Sequence, residues 1–154
     1  MRVALTGGAT GIGAEVAARL KAAGHEVTAF DITKPPANID RWIETDLSDP
    51  ASIAAALARA EGSYDALINN AGLPPRAGLA ELVLNVNFIG FRHFLTGMID
   101  KLAAGGAVVN TASRAGAFWR DNIDEVKALM ALSGPGDLPT FISERSIDHV
   151  RAYN

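Results

Sequence analysis

The run Arg2-Val3-Ala4-Leu5-Thr6-Gly7-Gly8-Ala9-Thr10-Gly11-Ile12-Gly13 is the feature that most constrains what this chain can fold into. An apolar stretch enters a glycine-rich turn, and a helical pattern with Ile12, Val16 and Leu20 on one face follows at once. A strand, a turn with almost no side chains and a helix N-terminus together make a pocket for a pyrophosphate. The glycines admit backbone N–H groups to the phosphate oxygens, and the positive end of the helix dipole faces the charge. An ordinary tight strand-to-helix turn reads the same in isolation, so the rest of the chain has to decide.

Strand and helix patterns alternate from there. The first helix is expected over 11–23, stopping at Gly24, followed by a short strand over 26–30 that ends at Asp31. Pro35-Pro36 breaks the chain, and 41–45 reads as a third strand. Asp49-Pro50 reads as an N-cap and a first-turn proline, opening a helix with Ile53 and Leu57 that stops at Gly62. Residues 65–69 form a fourth strand, with Tyr64 just before it, and lead into Asn70-Ala71-Gly72. A long helical pattern over 79–102 places Leu79, Leu82, Val83, Val86 and Phe94 on one side, Gly105-Gly106 ends it, and 107–111 is a fifth strand. Short connections between such elements predict an α/β fold, a Rossmann-like doubly wound parallel sheet in the order 3-2-1-4-5, with strands buried on both sides. Past Gly116 the pattern loosens into a helix over 121–132, a loop at 133–136 and a further short helix over 143–150.

At 154 residues the chain is one domain's worth of sequence. It has no cysteine, which excludes disulfides and thiolate metal sites, and His25, His93 and His149 lack ligand spacing, so no metal is expected. A net charge of −3 gives no electrostatic case for nucleic acid. No apolar run approaches the ~18 residues needed to cross a bilayer, and the first strand starts where a signal peptide would stand. A cytoplasmic protein without a membrane partner is the expectation.

Asp31 stands 20 residues after Gly11, at the end of the second strand. In a dinucleotide fold that position, with Ile32 beside it, faces the adenosine ribose, where a carboxylate accepts bonds from the hydroxyls and repels a 2′-phosphate. No Arg or Lys lies between Thr6 and Gly13 to hold that phosphate, so NAD is favoured over NADP. A solvated loop aspartate is the plainer reading of the same residue.

At this point the sequence resembles the short-chain dehydrogenase/reductase family. Thr6-Gly7-Gly8-Ala9-Thr10-Gly11-Ile12-Gly13 is similar to its TGxxxGIG turn. Asp46-Leu47, Asn69-Asn70-Ala71-Gly72, Asn87 and Val109-Asn110-Thr111-Ala112-Ser113 match its later motifs in order, over residues 1 to about 116. The resemblance implies that Thr6, Gly7, Thr10, Gly11, Ile12 and Gly13 hold the cofactor and that Asp46 and Leu47 contact the adenine. It places Asn70, Ala71 and Gly72 beside the adenosine. It also implies that Asn87 kinks its helix and holds a water of the proton relay, and that Ser113 bonds the substrate oxygen. A structural asparagine is the alternative for Asn87.

The chain then departs from the family pattern. The usual Tyr-x-x-x-Lys is missing a little over a dozen residues beyond the serine, where Glu125, Val126 and Met130 stand instead. Tyr153, 40 positions after Ser113, is the candidate acid/base. A branch of bacterial hydroxysteroid dehydrogenase/carbonyl reductases carries a similar helical insertion before its tyrosine. The family's lysine would fall past Asn154, so the sequence reads as the N-terminal part of a longer enzyme: a core over 1–116, an insertion over 117–152, and the start of a catalytic helix at 153–154. The expected activity is NAD-dependent interconversion of a secondary alcohol, a hydroxysteroid among the candidates, and a ketone, in an enzyme that is a homo-oligomer at full length. The rival is a non-catalytic dinucleotide-binding module or inactive fragment. Phe118, Trp119, Phe141 and Ile142 line either an apolar substrate pocket or the insertion's own core. Ile123, Val126, Lys127 and Met130 outline the insertion helix's packing side, and the added helix should block or replace the family's usual subunit pairing. The final residues are expected to be displaced or mobile.

Overall fold

Five strands pair in parallel in the order β3-β2-β1-β4-β5, as the alternation predicts. The structure is a computed structural model and describes residues 1–154, apart from the side chain of Phe118. The strands are β1 (Arg2–Thr6), β2 (Glu26–Asp31), β3 (Arg41–Glu44), β4 (Tyr64–Asn69) and β5 (Leu102–Asn110). The helices are α1 (Gly11–Ala22), α2 (Pro50–Arg59), α3 (Ala80–Leu84), α4 (Phe91–Ile99), α5 (Ile123–Met130) and α6 (Leu138–Arg145). The expected division at 116 and 152 is one of roles. By packing, the chain forms two compact units: Met1–Ala71 with Gly90–Thr111, and Gly72–Ile89 with Ala112–Asn154.

The first unit is the sheet flanked by helices. Val3, Ala4, Leu5, Val27, Ala29, Phe30, Ile43 and Leu67 are buried almost completely, because the central strands are covered on both faces. Phe94 of α4 meets Phe30 edge to face, with ring centroids 4.9 Å apart. The register places Thr6 opposite both Phe30 and Asn69, so the carboxyl ends of β1, β2 and β4 finish level with one another. Asp49 caps α2 by accepting the Ala51 N–H at 2.9 Å, and Pro50 occupies its first turn.

Several sequence expectations need correction here. Ile12 is 67% exposed, and Gly13 and Ala17 are the buried residues of α1. Tyr64 opens β4 rather than preceding it, and its buried ring lies under the Arg2 guanidinium at 4.5 Å. The long helix ends at Ile99, and β5 already begins at Leu102. Gly105-Gly106 therefore lies inside the strand, where the β4–β5 register shifts and Gly105 takes φ +80°. Two glycines with the look of a helix stop form a bulge instead. β5 lies at one end of the strand order, and its Val108 and Val109 are exposed. The segment Ala80–Ile99 is one helix, long and apolar enough by composition to cross a bilayer, with mean hydropathy 1.3 over an 18-residue window. Counting uninterrupted apolar residues hides it, because Asn85, Asn87, Arg92 and His93 punctuate the run. Its Val83, Leu84, Ile89, Phe94 and Met98 are core residues.

The second unit has its own core of Val83, Leu84, Ile89, Leu138, Phe141, Ile147 and Ala152. Phe141 is part of this core, and Ile142 and Tyr153 pack against it, so insertion residues share it with Val83, Leu84 and Ile89. Trp119 is exposed, with the Arg120 guanidinium over its ring, and the side chain of Phe118 lies outside the described residues. The packing side of α5 is carried by Ala128 and Leu129, with Leu132 beyond its end, while Met130 is 60% exposed. The packing stripe is thus phased differently from the expected one. The preceding segment Arg114–Asn122 is a 3-10 helix, and α6 runs Leu138–Arg145 with Ser146 in the left-handed region ending it, so the helix expected over 143–150 lies earlier in the chain. Leu82, placed with Val83 from the sequence, lies at the surface.

Candidate cofactor and catalytic site

The glycine turn is held at several points within the first unit. The Thr6 Oγ1 accepts the N–H groups of Asn70 at 3.0 Å and Ala71 at 3.1 Å, and the Asn70 amide nitrogen donates to the Gly7 carbonyl at 3.1 Å. Gly7 has φ +70°, and a Cβ there would stand 2.7 Å from the Ala71 Cα, so the turns after β1 and β4 touch backbone to backbone. A Cβ on Gly13 would fall 1.8 Å from the Gly7 carbonyl oxygen, which brings the first turn of α1 down onto the loop. Thr10 caps α1 without a side-chain hydrogen bond, and no acidic residue lies in the first turn. The leading N–H groups of this helix, at the exposed residues Gly11 and Ile12, are the donors an anion requires.

Asp31 closes the neighbouring edge of that surface. Its Oδ2 accepts the Ala9 N–H and its Oδ1 the Thr33 N–H, each at 2.9 Å. The exposed Ile32 follows it. Beyond β3, the Asp46 Oδ1 accepts both the N–H and the hydroxyl of Ser48, and Leu47 is buried. A Cβ on Gly90 would lie 1.8 Å from the Leu47 carbonyl oxygen, so that glycine seats the loop against the helix.

The expected catalytic residues and Gly72 all lie in the second unit. Asn87 sits within a π-helical turn, Asn85–Gly90. Its Oδ1 accepts the Leu73 N–H at 2.7 Å and its Nδ2 donates to the Leu73 carbonyl at 2.9 Å, with Gly72 directly beside it. Ser113 is exposed, and its Oγ accepts the Ala115 N–H at 3.1 Å. Ala152 is buried and Tyr153 packs on the same core.

A model of the short chain dehydrogenase family matches residues 1–123. The chain belongs to this family. Coniferyl-alcohol dehydrogenase of Pseudomonas sp. is 33% identical over 133 residues, which cover 86% of this chain and 52% of that enzyme. The 3-alpha-hydroxysteroid dehydrogenase/carbonyl reductase of Comamonas testosteroni is 31% identical over 67% of this chain and 39% of its own length. Among solved structures, the 3-alpha-hydroxysteroid dehydrogenase from Pseudomonas sp. B-0831, complexed with NADH, superposes with a TM-score of 0.78 at 31% identity. It is matched over 99% of this chain and 60% of that one. The chain thus spans roughly half of these short-chain dehydrogenases.

Three residues escape a reading of the sequence. Ala9 supplies the N–H that Asp31 takes, Leu73 supplies both backbone partners of Asn87, and Gly90 seats Leu47. Ala9 and Leu73 act through their backbones and leave no side-chain signal. Gly90 leaves one, because it shares a helical face with Asn87 three residues earlier.

Proposed function

We propose that this short-chain dehydrogenase is an NAD-dependent oxidoreductase that interconverts a secondary alcohol and a ketone, with a hydroxysteroid as the favoured substrate class. The observation that carries the reading is the glycine turn. An N-terminus of a 12-residue helix, free of side-chain cap and acidic residues, stands beside a carboxylate at the end of β2. Those residues fit a dinucleotide: the N–H groups of Gly11, Ile12 and Gly13 would hold the pyrophosphate, and Asp31 the adenosine ribose. When bound, NAD supplies the hydride acceptor or donor. Asp46 and Leu47 would wall the adenine, and Asn70, Ala71 and Gly72 its ribose.

The Ser113 hydroxyl would orient the substrate oxygen by donating to it, since its Oγ already accepts the Ala115 N–H. The Tyr153 phenol would exchange the proton of that oxygen. Asn87, with both amide atoms engaged by Leu73, fixes the segment leading from Gly72. The hydroxysteroid preference is supported by the NADH-complexed 3-alpha-hydroxysteroid dehydrogenase, which matches nearly the whole of this chain, insertion included. Cytoplasmic location and homo-oligomeric assembly complete the proposal.

A dinucleotide-binding module without turnover is the second reading. Calorimetric titration of the full 154-residue chain with NADH and NADPH tests the binding, and steroid-dependent NADH formation tests the turnover. Tighter binding of NADH is expected. Equal or tighter binding of NADPH overturns the cofactor preference, and binding without turnover selects the second reading.

A further inference from the structure

Asp31 makes contacts that selection of a ribose does not require. Each of its carboxylate oxygens takes a backbone N–H, Oδ2 from Ala9 and Oδ1 from Thr33, both at 2.9 Å. Its main-chain carbonyl takes the Thr45 N–H at 3.1 Å and the Trp42 indole N–H at 3.0 Å. One residue therefore ties together the loops that leave β1, β2 and β3.

The Ala9 bond has the largest consequence. Ala9 is 8% exposed and lies midway between Gly7 at φ +70° and Gly11 at φ +54°, the two points where the turn reverses. The turn is anchored to β2 twice: by the main-chain bond from Gly7 N–H to the Phe30 carbonyl at 3.0 Å, and by the Asp31 carboxylate. Glycines make the turn permissive, so its shape has to be imposed from outside. No side chain at Thr10 fixes the start of α1. A charge-assisted bond to a buried N–H is the strong member of this set.

We propose that Asp31 is a positioning residue for the pyrophosphate, clamping the glycine turn through Ala9 so that the N–H groups opening α1 are aimed before any ligand arrives. The proposal rests on the dinucleotide reading above and deepens it: cofactor selectivity and phosphate affinity share one carboxylate. Removing that carboxylate to admit a 2′-phosphate also loosens the turn, so the substitution alone weakens binding of every adenine dinucleotide.

The test separates clamp from ribose contact by truncating the ligand. ADP and 2′,3′-dideoxyadenosine diphosphate are titrated calorimetrically into wild type, Asp31→Ala and Asp31→Asn, and amide exchange at Ala9 is followed without ligand in isotopically labelled protein. Asp31→Ala is expected to speed Ala9 exchange and to weaken the dideoxy ligand by roughly tenfold each, the scale of one charge-assisted hydrogen bond. If Asp31→Ala does not fold, Asp31→Asn, which keeps a single acceptor oxygen, is judged by the same criteria. Unchanged affinity for the dideoxy ligand overturns the proposal even where ADP binding falls, because the carboxylate would then act on the ribose alone. If wild type binds neither ligand, the dinucleotide reading fails, and unchanged Ala9 exchange would then overturn the clamp as well.

Discussion

Gly13 lies where α1 presses on the glycine turn, and a Cβ at that position would stand 1.8 Å from the Gly7 carbonyl oxygen, which leaves no room for alanine. Relief has to come from backbone, since the obstructing atom is a carbonyl. Gly13→Ala is therefore expected to destabilise by about 1–3 kcal/mol, the usual cost of overpacking, and to weaken NADH binding because the turn itself must move. Urea unfolding and NADH titration of the same sample check both effects. Asn87 presents the complementary case, a side chain whose two ends close a ring with the Leu73 backbone. Replacing it with leucine strands an N–H and a carbonyl and should cost about 1–3 kcal/mol in urea unfolding. A loss well under that range would show that water takes over both partners.

Elements differ in how far local chemistry dictates them. Asp49-Pro50 carries a complete start signal, and the bond from Ala51 N–H to the Asp49 carboxylate is the one the signal implies. Asp49→Ala should cost about 1 kcal/mol, visible as a lower urea midpoint with an unchanged slope. Strand β1 is legible because a buried strand writes a continuous apolar run, the parallel order is legible from the alternation of strand and helix, and the glycine turn with Asp31 is legible because phosphate and ribose demand particular residue types. Gly105 illustrates the limit. Its φ of +80° serves a bulge opposite β4, and a pairing partner so distant in the chain cannot be read from a local glycine pair. The packing side of α5 is hidden for a similar reason: Ala128 and Leu129 pack against a core built from residues distant in the chain, while the large apolar Met130 is exposed. The Asp31–Ala9 contact is invisible in the sequence because its donor is backbone.

Across the whole molecule, each compact unit contains one aspartate whose carboxyl is held below its ordinary range. In the first unit the Lys21 ammonium donates to Asp40 at 2.7 Å and the Val27 N–H reinforces it, tying the last turn of α1 to the start of β3. In the second, Asp148 is lowered chiefly by the Arg151 N–H, with the Val150 N–H assisting. Both shifts have the same sign. A carboxyl with a lower pKa folded than unfolded contributes stability that is complete above its unfolded pKa of about 4, and that is lost as pH falls through the folded value. The midpoint of thermal unfolding should therefore be flat near neutrality from these groups and fall below about pH 4. The Asp148 residue is exposed and the Asp40 side chain is 37% exposed, so solvent screens both and the neutral-pH cost of removing either charge should be small. Asp40→Asn is expected to lower the midpoint at neutral pH and to flatten its decline at acid pH, because the variant has no proton to take up at that site. A variant whose acid limb runs parallel to wild type would show that Asp40 does not contribute to the acid sensitivity.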